Sequence, residues 1–482
     1  MHHSVLWNPN PLSLTPAHDF YPHLHGCHPV PCHIIYPTPC PLYSTFHPLL
    51  FLSLITGYVT SDSGAIRDIY AEHHYVPTAE QAACVAIRDG VTDINSGSVY
   101  NDALLQGVAD GYCSMDDVNR ALNNTMRLRF QMGLFDPHAG QPYWDVSPEV
   151  VNTTYSRELS LFATKQSMVL LKNDNDVLPV KKGAKIAALG PHADATAELL
   201  GNYLGQICPY GGFGCVPQPY VELAAANDGG SVVFEHGCDV DSQDTSGFAA
   251  AVAAASAADV AIIYAGLSQA VEREGYDRVN ISLPGVQPQF IEAILATGTP
   301  TVLVLINGGS VAIDSLATKV PAIVEAFYPG FFGAEALAEV VMGSYNPGGK
   351  LPVTMYDSSI IEQANFLDMD IAHPPGRTYR YYTGTPSFPF GHGLSYTTFE
   401  VIWNNQESAA GFDVWTGQGA LVPGAVDSKQ VTAKVTNTGS REGDEIVFLF
   451  VKPQLDVDAV HGPVPTGGDP RDLPLIKQLV GF

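Results

Sequence analysis

Between Lys185 and Phe327 the chain carries five short apolar runs: Lys185–Leu189, Ser231–Glu235, Val260–Ala265, Thr301–Ile306 and Ala322–Phe327. Helix-like, alanine-rich stretches such as Phe248–Ala258 and Gln289–Ala296 lie between them. Runs this short and this apolar read as strands buried on both faces, and helices between them return each strand parallel to the last. The pattern predicts an α/β fold with a doubly wound parallel sheet, in which ligands bind beyond the carboxyl ends of the strands. On either side of this block the character changes. From Gly57 to about Pro137 the reading is helical, with apolar residues three and four apart over Ala79–Asp89 and Ser114–Met132. Asp116 and Asp117 near the start of the second stretch, and Gly133 after it, are helix limits. From about Phe399 the period becomes two, as in Val431–Val435 and Ile446–Val451, which predicts an antiparallel β-sandwich, cut short at Phe482.

At 482 residues the chain has room for two to four domains. Its net charge of −26 repels phosphates and anionic lipid, so nucleic acid and membrane surfaces are not expected as partners; neutral polyhydroxylated molecules are unaffected. Residues 1–56 stand apart as a Pro/His-rich segment rather than a domain. The first fifty hold ten of the 36 prolines and eight of the 16 histidines, and proline at that density forbids helices and central strands. The histidines follow no repeated spacing, so compositional bias is the reading and no metal site is expected. Leu49–Ile55 is too short to span a bilayer and lacks the basic flank of a leader, so no credible signal peptide is read here. The eight cysteines include no Cys-x-x-Cys pair; Cys208 and Cys215 flank a glycine-rich loop and read equally as a small disulfide or two free thiols. Sequons at Asn123, Asn152 and Asn280 fit secretion.

Generic motifs contribute little. Gly343–Lys350 imitates a phosphate loop, but the lysine comes one place late and Leu351-Pro352 replaces the Ser/Thr and helix. Two acidic clusters remain. Gly57-Tyr-Val-Thr-Ser-Asp62-Ser-Gly64 is a short β-type run ending in a carboxylate among small residues. Such an aspartate can project into a pocket, but the local sequence alone favours a helix cap for the turn that starts near Ala65. Val260–Ala265 is followed by an acidic loop containing Glu272, Arg273, Glu274, Asp277 and Arg278, at the strand end where α/β sheets bind ligands. Taken locally, that loop reads as a solvated surface with internal Arg–carboxylate pairs.

Tyr58–Ala65 resembles the nucleophile segment of glycoside hydrolase family 3. The likeness continues in order through Ala265–Arg278, Tyr328–Val340, Gly343–Thr354, Phe388–Phe399 and Thr436–Glu445. Within the family the chain is similar to fungal and plant β-xylosidases, on Leu200–Gly205, Pro375–Gly384 and Ser63, where β-glucosidases usually carry tryptophan. The resemblance implies the C-terminal part of an (α/β)8 barrel over 57–137, a linker over 138–157, an α/β sandwich domain over 158–395 and a partial fibronectin type III-like domain over 396–482.

It also implies a secreted, retaining exo-β-1,4-xylosidase acting on xylo-oligosaccharides, with Asp62 as nucleophile and a glutamate as acid/base. Glu272 is preferred over Glu274 for that role, and Asp277 and Arg278 are read as braces. Carboxylates and water suffice for both steps, so neither cofactor nor metal is implied. The family places some 250 residues before the nucleophile, so a chain lacking most of the barrel is expected. The alternatives are an inactive fragment of such an enzyme, or a sister α-L-arabinofuranosidase or β-glucosidase.

Overall fold

The computed structural model describes residues 2–6, 57–403, 430–452 and 475–482. Its residues divide into two compact units: one is drawn from Ile34–Val151, the other from Met1–His33 and Asn152–Phe482. Most of the Pro/His-rich segment, with Cys27, Cys32 and Cys40, lies outside the described residues.

The described part of the first unit is helical: α1 (Ala65–Ala71), α2 (Ala79–Arg88), α3 (Val99–Ala109) and α4 (Met115–Gln131). Thr78 caps α2 by accepting from Gln81 N. Ser114 and Asp117 form a reciprocal capping box on α4, which explains why both helices begin where the sequence places them. Their inner faces bury Ile66, Ala82, Ala83, Ile87, Ala103 and Leu104. The disulfide Cys84–Cys113 ties α2 to the loop before α4, a pairing the sequence reading does not make.

In the second unit β1 (His2–Leu6) is an edge strand of a small antiparallel sheet described below. The helix α5 (Thr154–Ser167) starts inside the stretch read as a linker, because Thr153 accepts from Ser156 N and opens a helix there. Then come β2 (Val169–Asn173), β3 (Lys185–Leu189), β4 (Ser231–Glu235), β5 (Val260–Gly266), β6 (Thr301–Ile306) and β7 (Ala322–Glu325). They form one sheet in the order β2-β7-β6-β5-β3-β4, parallel except for β2. All five expected strands are present. The antiparallel β2 is an addition, and β7 stops two residues early because Phe327 turns the backbone to φ 52°.

The four inner strands of the sheet, β7, β6, β5 and β3, are buried on both faces. One face packs Ile186, Ile262, Val304 and Val324 with Leu337 and Val340; the other packs Leu189, Ile263, Leu305 and Ile323 with Phe290 and Ile294. The stretch Phe248–Ser256 is a helix with Ala251 and Ala255 buried, so small side chains let it lie close to the sheet. The Cys208–Cys215 disulfide is formed, and Cys238 is a buried free thiol. Lys350 is bound to the Gly393 carbonyl and Glu445, which leaves the phosphate-loop lookalike a structural contact.

Toward the C-terminus β8 (Phe399–Trp403) pairs antiparallel with β9 (Gln430–Asn437), which pairs with β1 on its other side. β10 (Leu449–Val451) pairs antiparallel with β11 (Gln478–Gly481). The expected strand over Ile446–Val451 is therefore confined to its last three residues.

Candidate active site

In the first unit the Val59–Asp62 segment is held by a buried acid. Asp93, its side chain 1% exposed, accepts from Val59 N and is paired with Arg120 and bonded by Asn124. Thr60 makes a parallel bridge to Ile94, with Ser61 N donating to Ile94 O and Asp93 and Ile94 N donating to Val59 O. Ser61 Oγ takes the Ser96 amide, and Gly64 N donates to Ser96 O. Two short extended segments thus run side by side, and the chain leaves the first at Asp62.

The helix that follows is not capped by this aspartate. Its N-cap is Gly64, at φ 77° with no side-chain bond, while among the described residues Asp62 Oδ1 accepts only from the adjacent Ser63 N. The local expectation of a capping aspartate is therefore corrected: glycine in the left-handed region supplies the turn, and the Asp62 carboxylate is left exposed. Asp93 and Arg120, which fix this segment, were not singled out in the sequence; a buried aspartate facing an arginine 27 residues on has no local signature.

In the second unit the acidic loop leaves the carboxyl end of β5 through Gly266, at φ 148°. A Cβ there would sit 1.9 Å from Ile306 O. The buried Gln287 clamps this residue on both sides, accepting from Gly266 N and donating to Gly266 O and to Val240 O. The loop then folds back at Arg273 and Tyr276, which bridge, with the Arg273 guanidinium 4.9 Å over the Tyr276 ring. Gly275, at φ 71°, makes the bend and puts Glu274 at its tip.

The two glutamates are in different situations. Glu272 Oε2 accepts from Arg278 Nε at 2.5 Å, and its Oε1 from Gly309 N at 2.7 Å. Arg278, its side chain 10% exposed, also bonds Ser310 O and Ile281 O. At Gly309 a Cβ would stand 2.6 Å from Glu272 Oε2, so a side chain there would have to displace the Glu272–Arg278 pair. Glu274 is exposed and has no hydrogen bond or ion pair among the described residues; Asp277 is exposed as well.

The Tyr328 ring packs against Gly308, where a Cβ would lie 2.5 Å from it. Burial first, and then the Glu272 charge, push its hydroxyl up. His192 lies beside the end of β5, donating its backbone N–H to Tyr264 O. Burial holds its imidazole down at about 4. Among the described residues no three His, Cys, Asp or Glu side chains gather as a metal would require, and no helix is long and apolar enough to cross a membrane.

Residues 168–396 match the family described as the glycosyl hydrolase family 3 C-terminal domain. A probable exo-1,4-beta-xylosidase of Aspergillus flavus is 36% identical over 439 residues, covering 89% of this chain and 53% of that protein. Beta-D-xylosidase 1 of Arabidopsis thaliana is 32% identical, with 89% and 56% covered. Among solved structures, a family 3 exo-beta-xylosidase in complex with a xylobiose aziridine activity-based probe superposes with a TM-score of 0.72 at 31% identity, covering 89% of this chain and 56% of that one. The chain spans about half the length of the curated relatives it matches.

Proposed function

Because the chain belongs to glycoside hydrolase family 3, through the domain at 168–396, we propose that it serves a retaining exo-β-1,4-xylosidase releasing xylose from xylo-oligosaccharides. The xylosidase names of the relatives in a fungus and a plant, and of the solved structure bound to a xylobiose-derived probe, support that substrate class. Extracellular action is part of the same proposal, supported by the two disulfides.

In this reading Asp62 is the nucleophile. Its carboxylate is exposed, and its backbone is anchored by the bonds of Val59 and Ser61 to Asp93 and Ile94. It attacks the anomeric carbon, the glycosidic oxygen leaves with a proton from the acid/base, and a covalent glycosyl-enzyme results. Water, deprotonated by the same acid/base, then releases the sugar with its original configuration.

The observation that decides between the glutamates is the occupancy of their oxygens. A residue that hands over a proton and takes one back needs a free oxygen. Both oxygens of Glu272 are engaged, by Arg278 and by Gly309 N, and those of Glu274 meet no partner among the described residues. Glu274 is therefore proposed as the acid/base, and Glu272 with Arg278 as the brace that fixes the loop. This reverses the preference read from the sequence.

The finer architecture is proposed on the same footing. The parallel Thr60–Ile94 bridge followed by α1 supports the end of an (α/β)8 barrel over 57–137. The antiparallel β8–β9 and β10–β11 pairs support a partial fibronectin type III-like domain over 396–482, after a linker at 138–157 and the sandwich at 158–395.

The test is p-nitrophenol release from an aryl β-D-xyloside by the purified chain and its variants. Asp62→Gly is expected to abolish release. Glu274→Ala is expected to spare substrates with good leaving groups and to fail on poor ones, while Glu272→Ala lowers all of them together. Release unchanged in Asp62→Gly refutes the nucleophile, and the leaving-group pattern appearing in Glu272→Ala refutes the acid/base choice. No release from the unaltered chain refutes the proposal that it turns over by itself.

A further inference from the structure

The proposed reaction makes no use of the three Asn-x-Ser/Thr triplets, and the structure separates them. Asn123 lies in the middle of α4, where its backbone is helical, and the hydroxyl of Thr125 in the same triplet is buried. Asn152 is exposed in the turn before α5, at φ 59°. Asn280 is exposed in irregular backbone on the return limb of the acidic loop, between the Arg273–Tyr276 bend and a parallel bridge from Ser282 to Ala312. Of the three, Asn280 sits on the loop that carries the candidate acid/base.

The surroundings of Asn280 suit an attached group. Its Oδ1 accepts from Ser282 N at 2.9 Å, which turns the side-chain amide toward the residue that completes the triplet. Nδ2, the atom a glycan joins, has no partner among the described residues. Val279 beside it is 94% exposed. The limb itself is anchored: Arg278 bonds Ile281 O and Ser310 O, and Ala312 N donates to Ile281 O at 2.8 Å. A group on Asn280 therefore stands on a fixed base, three residues after Asp277 and six after Glu274. Ahead of that base the loop is open. Arg273, Glu274, Gly275, Tyr276 and Asp277 are all exposed, and an exposed bend with an arginine in it is what a protease of basic specificity cuts.

We propose that Asn280 carries an N-linked oligosaccharide, and that this glycan shields the Arg273–Asp277 bend from proteolysis. The proposal rests on the reading of the chain as extracellular. In the transfer Nδ2 attacks the anomeric carbon of an oligosaccharide linked to a lipid diphosphate, donor and transferase both belonging to the secretory compartment. The N–C bond forms and the C–O bond to the diphosphate breaks. The lipid diphosphate leaves with that electron pair, and Nδ2 gives up one proton.

The test expresses the full chain behind a secretory leader in yeast and purifies it from the medium and the secretory membranes. Peptides are mapped by mass spectrometry before and after an amidase that removes N-glycans and leaves aspartate in place of the asparagine. The expected result is a glycan on the Asn280 peptide that is absent from Asn280→Gln and from Ser282→Ala. The second variant keeps the asparagine, so it decides alone if the first does not fold. Trypsin should cut the glycosylated chain after Arg273 about tenfold or more slowly than either variant.

Asn152 serves as the control for transfer. A chain glycosylated at Asn152 but bare at Asn280, or bare at both, overturns the acceptor assignment. Equal cleavage after Arg273 with and without the glycan overturns the shield. The leader forces entry, so the two readings fail separately: a chain missing from the medium of its own host refutes extracellular action, and a bare Asn280 in the yeast fractions refutes this inference. Neither readout uses turnover.

Discussion

Replacing Gly266 by alanine should cost far more than replacing Gly275, although both have positive φ. At Gly275 an added Cβ meets nothing within 4 Å, so Gly275→Ala bears only the left-handed strain of about 1–2 kcal/mol. At Gly266 the same methyl would lie 1.9 Å from Ile306 O and 2.7 Å from Ile306 C. To reach ordinary contact β6 must retreat by about 1.5 Å. That breaks the Leu267 N–Ile306 O bond of 2.9 Å and pulls Gly266 out of the Gln287 clamp.

Each buried backbone group left unpaired costs about 1–3 kcal/mol, so with backbone strain the total is about 4–6 kcal/mol. Urea titration followed by far-ultraviolet circular dichroism, with calorimetry to test cooperativity, reads the difference directly. A Gly266→Ala variant within about 1 kcal/mol of Gly275→Ala would refute the claim that the close approach of β5 and β6, rather than φ, makes glycine necessary.

Three further expectations can be checked in the same way. Opening Cys84–Cys113, which closes a span of 29 residues, should destabilise its unit by about 3.5 kcal/mol, against about 2.5 kcal/mol for the seven-residue span of Cys208–Cys215, with Cys→Ala pairs in denaturant melts as the check. Lys350→Met strands Glu445 in a half-dry site and should cost about 3 kcal/mol, much of it recovered in Lys350→Met/Glu445→Leu. For His192 the folded imidazole protonates at about 4 and the unfolded one near 6.5. Unfolding therefore binds a proton through that window, and stability should fall by roughly 3 kcal/mol as pH drops from 6.5 to 4. In His192→Gln that part of the pH dependence should vanish from the same melts.

The sheet was legible because burial on both faces leaves apolar runs in β3, β5, β6 and β7, while the edge strand β4 keeps an apolar Val232–Phe234 with Val233 half exposed. β2 escaped because Val169–Asn173 ends in Lys172 and Asn173 and follows a helix directly, so no break in composition announces it. Helix α2 was legible from its period, and α4 from its period and its limits at Asp116, Asp117 and Gly133 together. Asp62 was misjudged locally because an aspartate before a helix usually caps it, and only the backbone shows Gly64 in that role.

Glu272 and Glu274 are indistinguishable in sequence. What separates them is Gly309, 37 residues away, whose amide reaches one of them. Glu325 was hidden inside Ala322–Phe327, a run counted as apolar, although its side chain is fully buried. Cys84–Cys113 depends on α2 meeting the turn before α4, a fact of packing and not of spacing.

The buried thiol at Cys238, the one free cysteine among the described residues, can serve as a clock. Burial pushes it up to about 12, so at ordinary pH almost none of it is thiolate, the form that attacks disulfides or alkylating reagents. It stays inert for as long as the β4 side of the sheet stays shut. Its alkylation, followed peptide by peptide, then counts how often that side opens. The rate should rise with urea in step with the opening of the core around Leu189, Ala251 and Phe290, the residues with which Cys238 is buried.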